Sequence, residues 1–200
     1  MLITAIEPRR KGLSALFIDG EFVMNLDTQA LLENRFDVGR EIDDDELKEM
    51  IDYSNERRAK EKALWLISYR DHSKKELKDK IQRTCDSDSA EKAVERMEEL
   101  GLVNDEVFAQ RYARKLLFQK KMTKRAAAFE LSRKGIDKET AEAVLDEIEV
   151  DYRENIREIL ERKYRNLNDE KTKRRAVAAL QRLGYGWDDI RAVLSEYTEE

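Results

Sequence analysis

Three hydroxyl–cation pairs, Ser73-Lys74, Thr123-Lys124 and Thr172-Lys173, each open a segment with further cations in its first two turns. The hydroxyl can cap a helix, and the cations can hold phosphate or carboxylate oxygens. Eight side chains are therefore the candidate partner-binding residues: Lys74, Lys75 and Lys78; Lys124 and Arg125; Lys173, Arg174 and Arg175. The bland alternative is that they are solvated helix faces that keep the protein soluble. Catalysis finds less support. His72 is the only histidine, and packing or surface exposure just before the Ser73 cap is its expected role. Cys85 lies in Arg83-Thr84-Cys85-Asp86 with no histidine nearby in sequence, which makes it a poor nucleophile candidate. No phosphate-cradling glycine loop, zinc spacing or helical HExxH is present. The 44 carboxylates are so numerous that any chosen pair would mean little. No catalytic residue, metal or cofactor is assigned.

The elements that carry the cations recur. The three segments begin 50 and 49 residues apart, with apolar anchors in the same phase: Leu77, Ile81 and Val94; Ala127, Leu131 and Val144; Ala176, Leu180 and Val193. A fixed period of this size indicates stacked supersecondary units, each relying on its neighbours to complete a core. A single proline, Pro8, and seven scattered glycines leave helices uninterrupted beyond residue 43. With 40% hydrophobic and 42% charged residues, several small cores are expected rather than one large one.

The expected fold is mainly α, an elongated tandem array of three three-helix repeats behind a small N-terminal β-meander. Boundaries are placed at 1–43 for the β-rich subdomain with a short helix, 44–58 for a helical spacer, and 59–105, 106–150 and 151–200 for the repeats. In the first part, Leu2–Ile6, Leu13–Ile18 and Phe22–Leu26 read as strands, with Asp19-Gly20-Glu21 as a tight turn and a helix cap near Asp27 or Thr28. A further helix starts at Asp43-Asp44-Asp45, but Ser54–Lys60 lacks an apolar stripe and is read as a solvated spacer or a boundary. Caps are expected at Ser73, at Asp88-Ser89 and at Thr123, and Gly101, Gly135 and Gly184 as helix stops before an apolar residue. No apolar run approaches the roughly 20 residues of a membrane span, and a lone cysteine suits a reducing compartment. A cytoplasmic monomer is expected.

The net charge of −5 hides banding: nine bases and one acid lie between Arg111 and Lys134, and eight acids and two bases between Asp137 and Glu154. Three helices joined by a short turn suggest a helix-turn-helix DNA reader. However, Glu139, Glu142, Asp146, Glu147 and Glu149 outnumber Lys138 where the groove-reading helix would lie, so phosphates would repel it. The basic middle helices are the better candidates for contact with nucleic acid or an acidic protein.

Tyr69-Arg70-Asp71-His72-Ser73-Lys74-Lys75-Glu76-Leu77-Lys78-Asp79-Lys80 resembles the (S)R-x-x-S-x-x-E-L-x-x-K-L segment of the RecX family. Gly101–Ala109 is similar to its G-L-(I/L)-(D/N)-D-x-x-F-A segment, and Lys134-Gly135-Ile136 to its K-G-I. The likeness covers roughly residues 57–197, with Ile81 standing where the family often has Leu. It implies a non-enzymatic regulator that lies along a RecA filament on single-stranded DNA and restrains its growth, ATP hydrolysis and strand exchange. The alternative is a helical-repeat protein that binds nucleic acid through its basic middle helices.

Overall fold

The computed structural model describes residues 1–164 and 166–197; position 165 and the last three positions of the expected third repeat lie outside the described residues. The chain divides into two units, Met1–Asn104 and Asp105–Glu200.

The first unit opens with strands β1 (Ile3–Pro8), β2 (Leu13–Ile18) and β3 (Glu21–Asp27), an antiparallel sheet in sequence order. Asp19 and Gly20 join β2 to β3 at φ 48° and 87°, the doubly positive geometry whose twist matches a hairpin. Ile3, Leu16 and Leu26 pack under helix α1 (Thr28–Glu33), which Asp27 caps by accepting from the Ala30 amide. Helix α2 (Asp44–Tyr69) follows without a break and starts with a capping box between Asp43 and Glu46.

Residues 54–60 lie inside α2, with Ser54 and Ala59 buried and the other five half-buried. Ser54 is fully buried and its hydroxyl accepts from the Asp27 amide at 2.8 Å. Arg57 reaches Asp27 at 3.1 Å and Glu33 at 3.2 Å, and Tyr53 donates to Glu33 at 2.8 Å. Polar groups hold this half of α2 to the β subdomain, whereas Ala59, Ala63 and Leu66 of its other half enter the first repeat's core with α3 (Lys74–Ile81) and α4 (Ser87–Glu99).

The second unit holds the other two repeats. Repeat two is α5 (Asp105–Arg114), a π-helical turn (Lys115–Gln119), α6 (Lys124–Arg133) and α7 (Lys138–Asp146), around Leu116, Leu117 and Leu131. Repeat three is α8 (Tyr152–Lys163), α9 (Glu170–Arg182) and α10 (Trp187–Ser195), around Ile156, Leu160 and Leu180. Every expected anchor is buried: Leu77, Ile81, Ala127, Leu131, Ala176, Leu180 and Val193 are inaccessible, and Val94 and Val144 nearly so.

Helix starts depart from the repeat in two places. Ser73 and Thr123 cap α3 and α6 as expected. In the third repeat Asp169 is the cap, and Thr172 lies one turn inside, giving both its amide and its hydroxyl to Asp169 Oδ2 at 2.8 and 2.7 Å. An ionised carboxylate taking two donors outcompetes a threonine hydroxyl and draws the helix back a turn. Likewise α4 starts at Asp86, which accepts from the Ser89 amide, not at Asp88-Ser89.

Helix stops show the Schellman pair of hydrogen bonds at all three expected glycines. At Gly184, its amide donates to the Gln181 carbonyl at 3.0 Å and that of Tyr185 to Leu180 at 3.2 Å. Ile136 and Tyr185 then fold into their cores. After Gly101 the following Leu102 stays exposed and Val103 is buried instead. No helix of the described residues is long and apolar enough to cross a membrane.

Candidate functional site: cations on the middle helices

The buried anchors orient the cations. Residues three and four apart share a helix face, so fixing Leu77–Ile81, Ala127–Leu131 and Ala176–Leu180 inward turns the residue two before each first anchor outward and leaves the residue three before it half-buried on the flank. Lys74, Lys124 and Lys173 are thus equivalent, as are Lys75, Arg125 and Arg174. Lys78 and Arg175 have no basic counterpart: Ala128 and Val177 match the former, Glu76 and Ala126 the latter.

The three repeats use these cations differently. In repeat one, Lys74 Nζ lies 2.6 Å from Glu98 and Lys78 Nζ 3.1 Å from Glu91, so α4 of the same repeat neutralises two of the three. Lys75, Lys124, Arg125, Lys173, Arg174 and Arg175 make no ion pair among the described residues. In repeats two and three the acids of the third helix turn elsewhere, with Lys138 near Glu142 on α7 itself and Arg153 of α8 near Asp189 of α10.

Two aromatic side chains that hydrophobic patterning did not single out for contact stand beside these free cations. Phe129 of α6 is 67% exposed, one turn beyond Arg125, and Trp187, first residue of α10, is 55% exposed beside Lys173 and Arg174. Phe129 could have been recognised in the sequence, because it falls midway between the anchors Ala127 and Leu131 and so on the face away from the core.

A polar seam joins repeats two and three. The Thr123 amide donates to the Leu183 carbonyl at 2.9 Å, the Lys124 amide to the Tyr152 hydroxyl at 3.1 Å, and the Tyr185 hydroxyl to the Lys121 carbonyl at 2.6 Å. Burial pushes the Tyr185 phenol up to about 12, which keeps it a donor. Lys121 itself adopts φ 55° after the π-helical turn and pairs with Glu158 at 2.7 Å.

His72 is buried, and both its ring nitrogens are engaged. Nδ1 lies 2.8 Å from the Arg70 carbonyl and Nε2 2.8 Å from Lys80 Nζ. An ammonium only donates, so Nε2 accepts and Nδ1 carries the proton that the carbonyl takes. The ring therefore packs the helix junction. Among the described residues no His, Cys, Asp or Glu cluster could hold a metal ion.

Burial holds the His72 pKa below its ordinary 6.5, so the unfolded chain takes up the proton first. Its stabilisation is complete above about pH 6.5 and is lost as pH falls through the folded value. The capping carboxylates lie below their ordinary 3.8, Asp86 and Asp137 chiefly through the amides of Ser89 and Thr140 and Asp169 chiefly through the Thr172 hydroxyl. Their contribution is present above about pH 4 and disappears at lower pH. Melting temperature measured against pH should accordingly fall in two stages, and His72→Gln should remove the first while leaving the second.

Three consecutive three-helix units, with cations on equivalent middle helices, define a tandem helical-repeat protein. Models of the first, second and third RecX three-helix domains match residues 59–97, 104–145 and 150–194. A regulatory protein RecX of Caldanaerobacter subterraneus subsp. tengcongensis is 32% identical over 167 residues, 82% of this chain and 84% of that one. That of Clostridioides difficile (strain 630) is 27% identical over 201 residues, covering 98% and 95%. The crystal structure of a regulatory protein RecX shares the fold, with a TM-score of 0.61 at 18% identity over 97% of this chain and 98% of that one. The chain belongs to the RecX family.

Proposed function

We propose that this chain is a non-enzymatic regulator that binds the RecA filament on single-stranded DNA and restrains its extension, ATP hydrolysis and strand exchange. The observation that carries the reading is that a chain of net charge −5 keeps six cations unneutralised on successive middle helices, five of them at recurring positions and Arg175 beside them. A polymeric target repeats its own surface, so modest contacts from repeated units combine through effective concentration. Family membership supports the regulatory role.

The test is a fluorescence titration using the native Trp65 and Trp187 against bare and RecA-coated single strands. Preference for the coated strand is expected. Higher affinity for the bare strand, falling by decades between roughly 50 and 200 mM salt, would instead favour the reading as a nucleic-acid-binding repeat protein. Neutralising the acids that hold repeat one's cations, with Glu91→Gln and Glu98→Gln, should strengthen filament binding several-fold. Exposed pairs contribute only about 0–1 kcal/mol, so the melting temperature should hardly move.

A further inference from the structure

We infer that the outer face of the second half of α2, built on Leu64, Trp65 and Tyr69, is a self-association surface, on which a second copy of this chain docks antiparallel about a two-fold axis at Trp65. It uses none of the cations proposed for partner contact and stands independently of that reading. The monomer expected from the sequence is then the dilute form.

Ala59, Ala63 and Leu66 turn one side of α2 into the first repeat's core. On the other side Glu61, Leu64, Trp65, Ser68 and Tyr69 fall at i, i+3, i+4, i+7 and i+8, a continuous helical stripe, and all five are exposed. Trp65 is 57% exposed and Tyr69 82%. Their ring centroids lie 6.1 Å apart, and Lys62 Nζ sits 4.2 Å from the centre of the Trp65 ring. Adjoining apolar side chains left in water mark a surface made for contact.

The repeat itself does not require this stripe. With the buried pairs Ala59–Ala63, Ala109–Ala113 and Ile156–Leu160 in register, Trp65 corresponds to Lys115 and Arg162, and Leu64 to Arg114 and Glu161. The first helices of repeats two and three thus carry exposed charge where repeat one carries exposed apolar groups. Charge is what a solvated face needs, and the apolar exchange in repeat one serves only an occupant.

Charge and hydrogen bonding select a second copy as that occupant. When two α2 helices lie antiparallel about Trp65, the indoles meet on the axis and each Tyr69 comes level with the partner's Glu61, because the two residues stand four to either side of Trp65. The Tyr69 hydroxyl has no hydrogen-bond partner among the described residues and can donate to that carboxylate. Each Lys62 comes level with the partner's Ser68, so the two ammonium groups start from backbones about 9 Å apart along the helix. Parallel pairing would instead set lysine on lysine and glutamate on glutamate, and like charges repel. A wholly acidic or wholly basic partner finds no complement, since the stripe offers one charge of each sign, Glu61 and the bordering Lys62. Aromatic side chains bury about 150–250 Å² each, so four rings and two leucines cover on the order of 1,000 Å² in all, the low end for a specific interface. The dimer is therefore weak and fills in at micromolar concentration or above.

The test is sedimentation velocity of the full chain from roughly 1 to 300 μM, where the sedimentation coefficient should climb from the monomer towards the dimer value. Trp65→Lys gives repeat one the residue that repeat two carries, so the helix should be kept, as circular dichroism checks, while association weakens roughly 30-fold or more, the loss of a central aromatic anchor. In a Trp187→Phe background Trp65 is the only indole, and its emission should move to shorter wavelength as the concentration rises. Orientation is read by cross-linking in a Cys85→Ser background, which leaves no other thiol. A short bismaleimide should join Glu61→Cys chains to Tyr69→Cys chains in a mixture and join neither variant to itself, since like positions stand about 12 Å apart along the helix. A monomer across the whole concentration range, association that Trp65→Lys leaves intact, or cross-links that form within each variant alone and not in the mixture would overturn the inference.

Discussion

Reversing Lys124, Arg125, Arg174 and Arg175 to Glu is expected to abolish restraint of RecA, with filament affinity down on the order of 10³-fold at physiological salt. Each reversal removes one attraction and adds one repulsion, at sites where no acid of the described residues already neutralises the cation. Helicity should survive. Arg125, Arg174 and Arg175 are exposed and Lys124 half-buried, glutamate is as good a helix former as lysine, and Lys124 and Arg125 occupy the first turn of α6, where the helix dipole favours an acid. The melting temperature is therefore expected to hold or rise while activity disappears. The same reversal of Lys74, Lys75 and Lys78 should cost less function, because two of those three are already occupied, and more stability, because Glu91 and Glu98 would face like charge. Full inhibition by the fourfold variant of repeats two and three would reject the assignment of the contact face.

Gly184→Ala is expected to destabilise the second unit by about 2–5 kcal/mol, the sum of a left-handed backbone penalty and an overpacked contact. Gly184 has φ 96°, and a Cβ there would run into Thr123 Oγ1 and come within 2.9 Å of Ala126 Cβ. The threonine has little room to retreat. It is buried, caps α6 through the Ala126 amide and bonds through its own amide to Leu183. The fall in melting temperature should be about 10 °C or more for a unit of this size. Gly101→Ala is the matched control, since Gly101 also has positive φ, 68°, but open space around the added carbon. It should lose only about 1–2 kcal/mol. Calorimetry that finds the two variants equally stable would show that the seam between repeats is not tightly packed.

What the sequence disclosed and what it hid follow from the kind of signal each feature leaves. The anchors Ile81, Leu131 and Leu180 recur in one phase and are buried where that phase puts them, because hydrophobic burial is periodic. The hairpin at Asp19-Gly20 and the cap at Asp43 were legible because their chemistry is local. Residues 54–60 were opaque because Ser54 and Arg57 are held by Asp27 and Glu33, which lie far off in sequence, and polar burial has no hydropathic signature. The extra turn of α9 arose from Asp169 competing with a weaker threonine cap, a local contest that the repeat phase obscured. For the candidate site, the cations were visible as residue types, but their neutralisation in repeat one depends on Lys78 meeting Glu91 across two helices. Phe129 and Trp187 drew no attention as contact residues because patterning looks for apolar side chains that go inward.

The most direct test is RecA ATP hydrolysis on single-stranded DNA, measured as this protein is added in amounts below that of RecA. The account predicts a loss of hydrolysis larger than the fraction of RecA protomers matched by added protein, since each bound chain spans or blocks several. Hydrolysis that stays unchanged even at equimolar protein would contradict it.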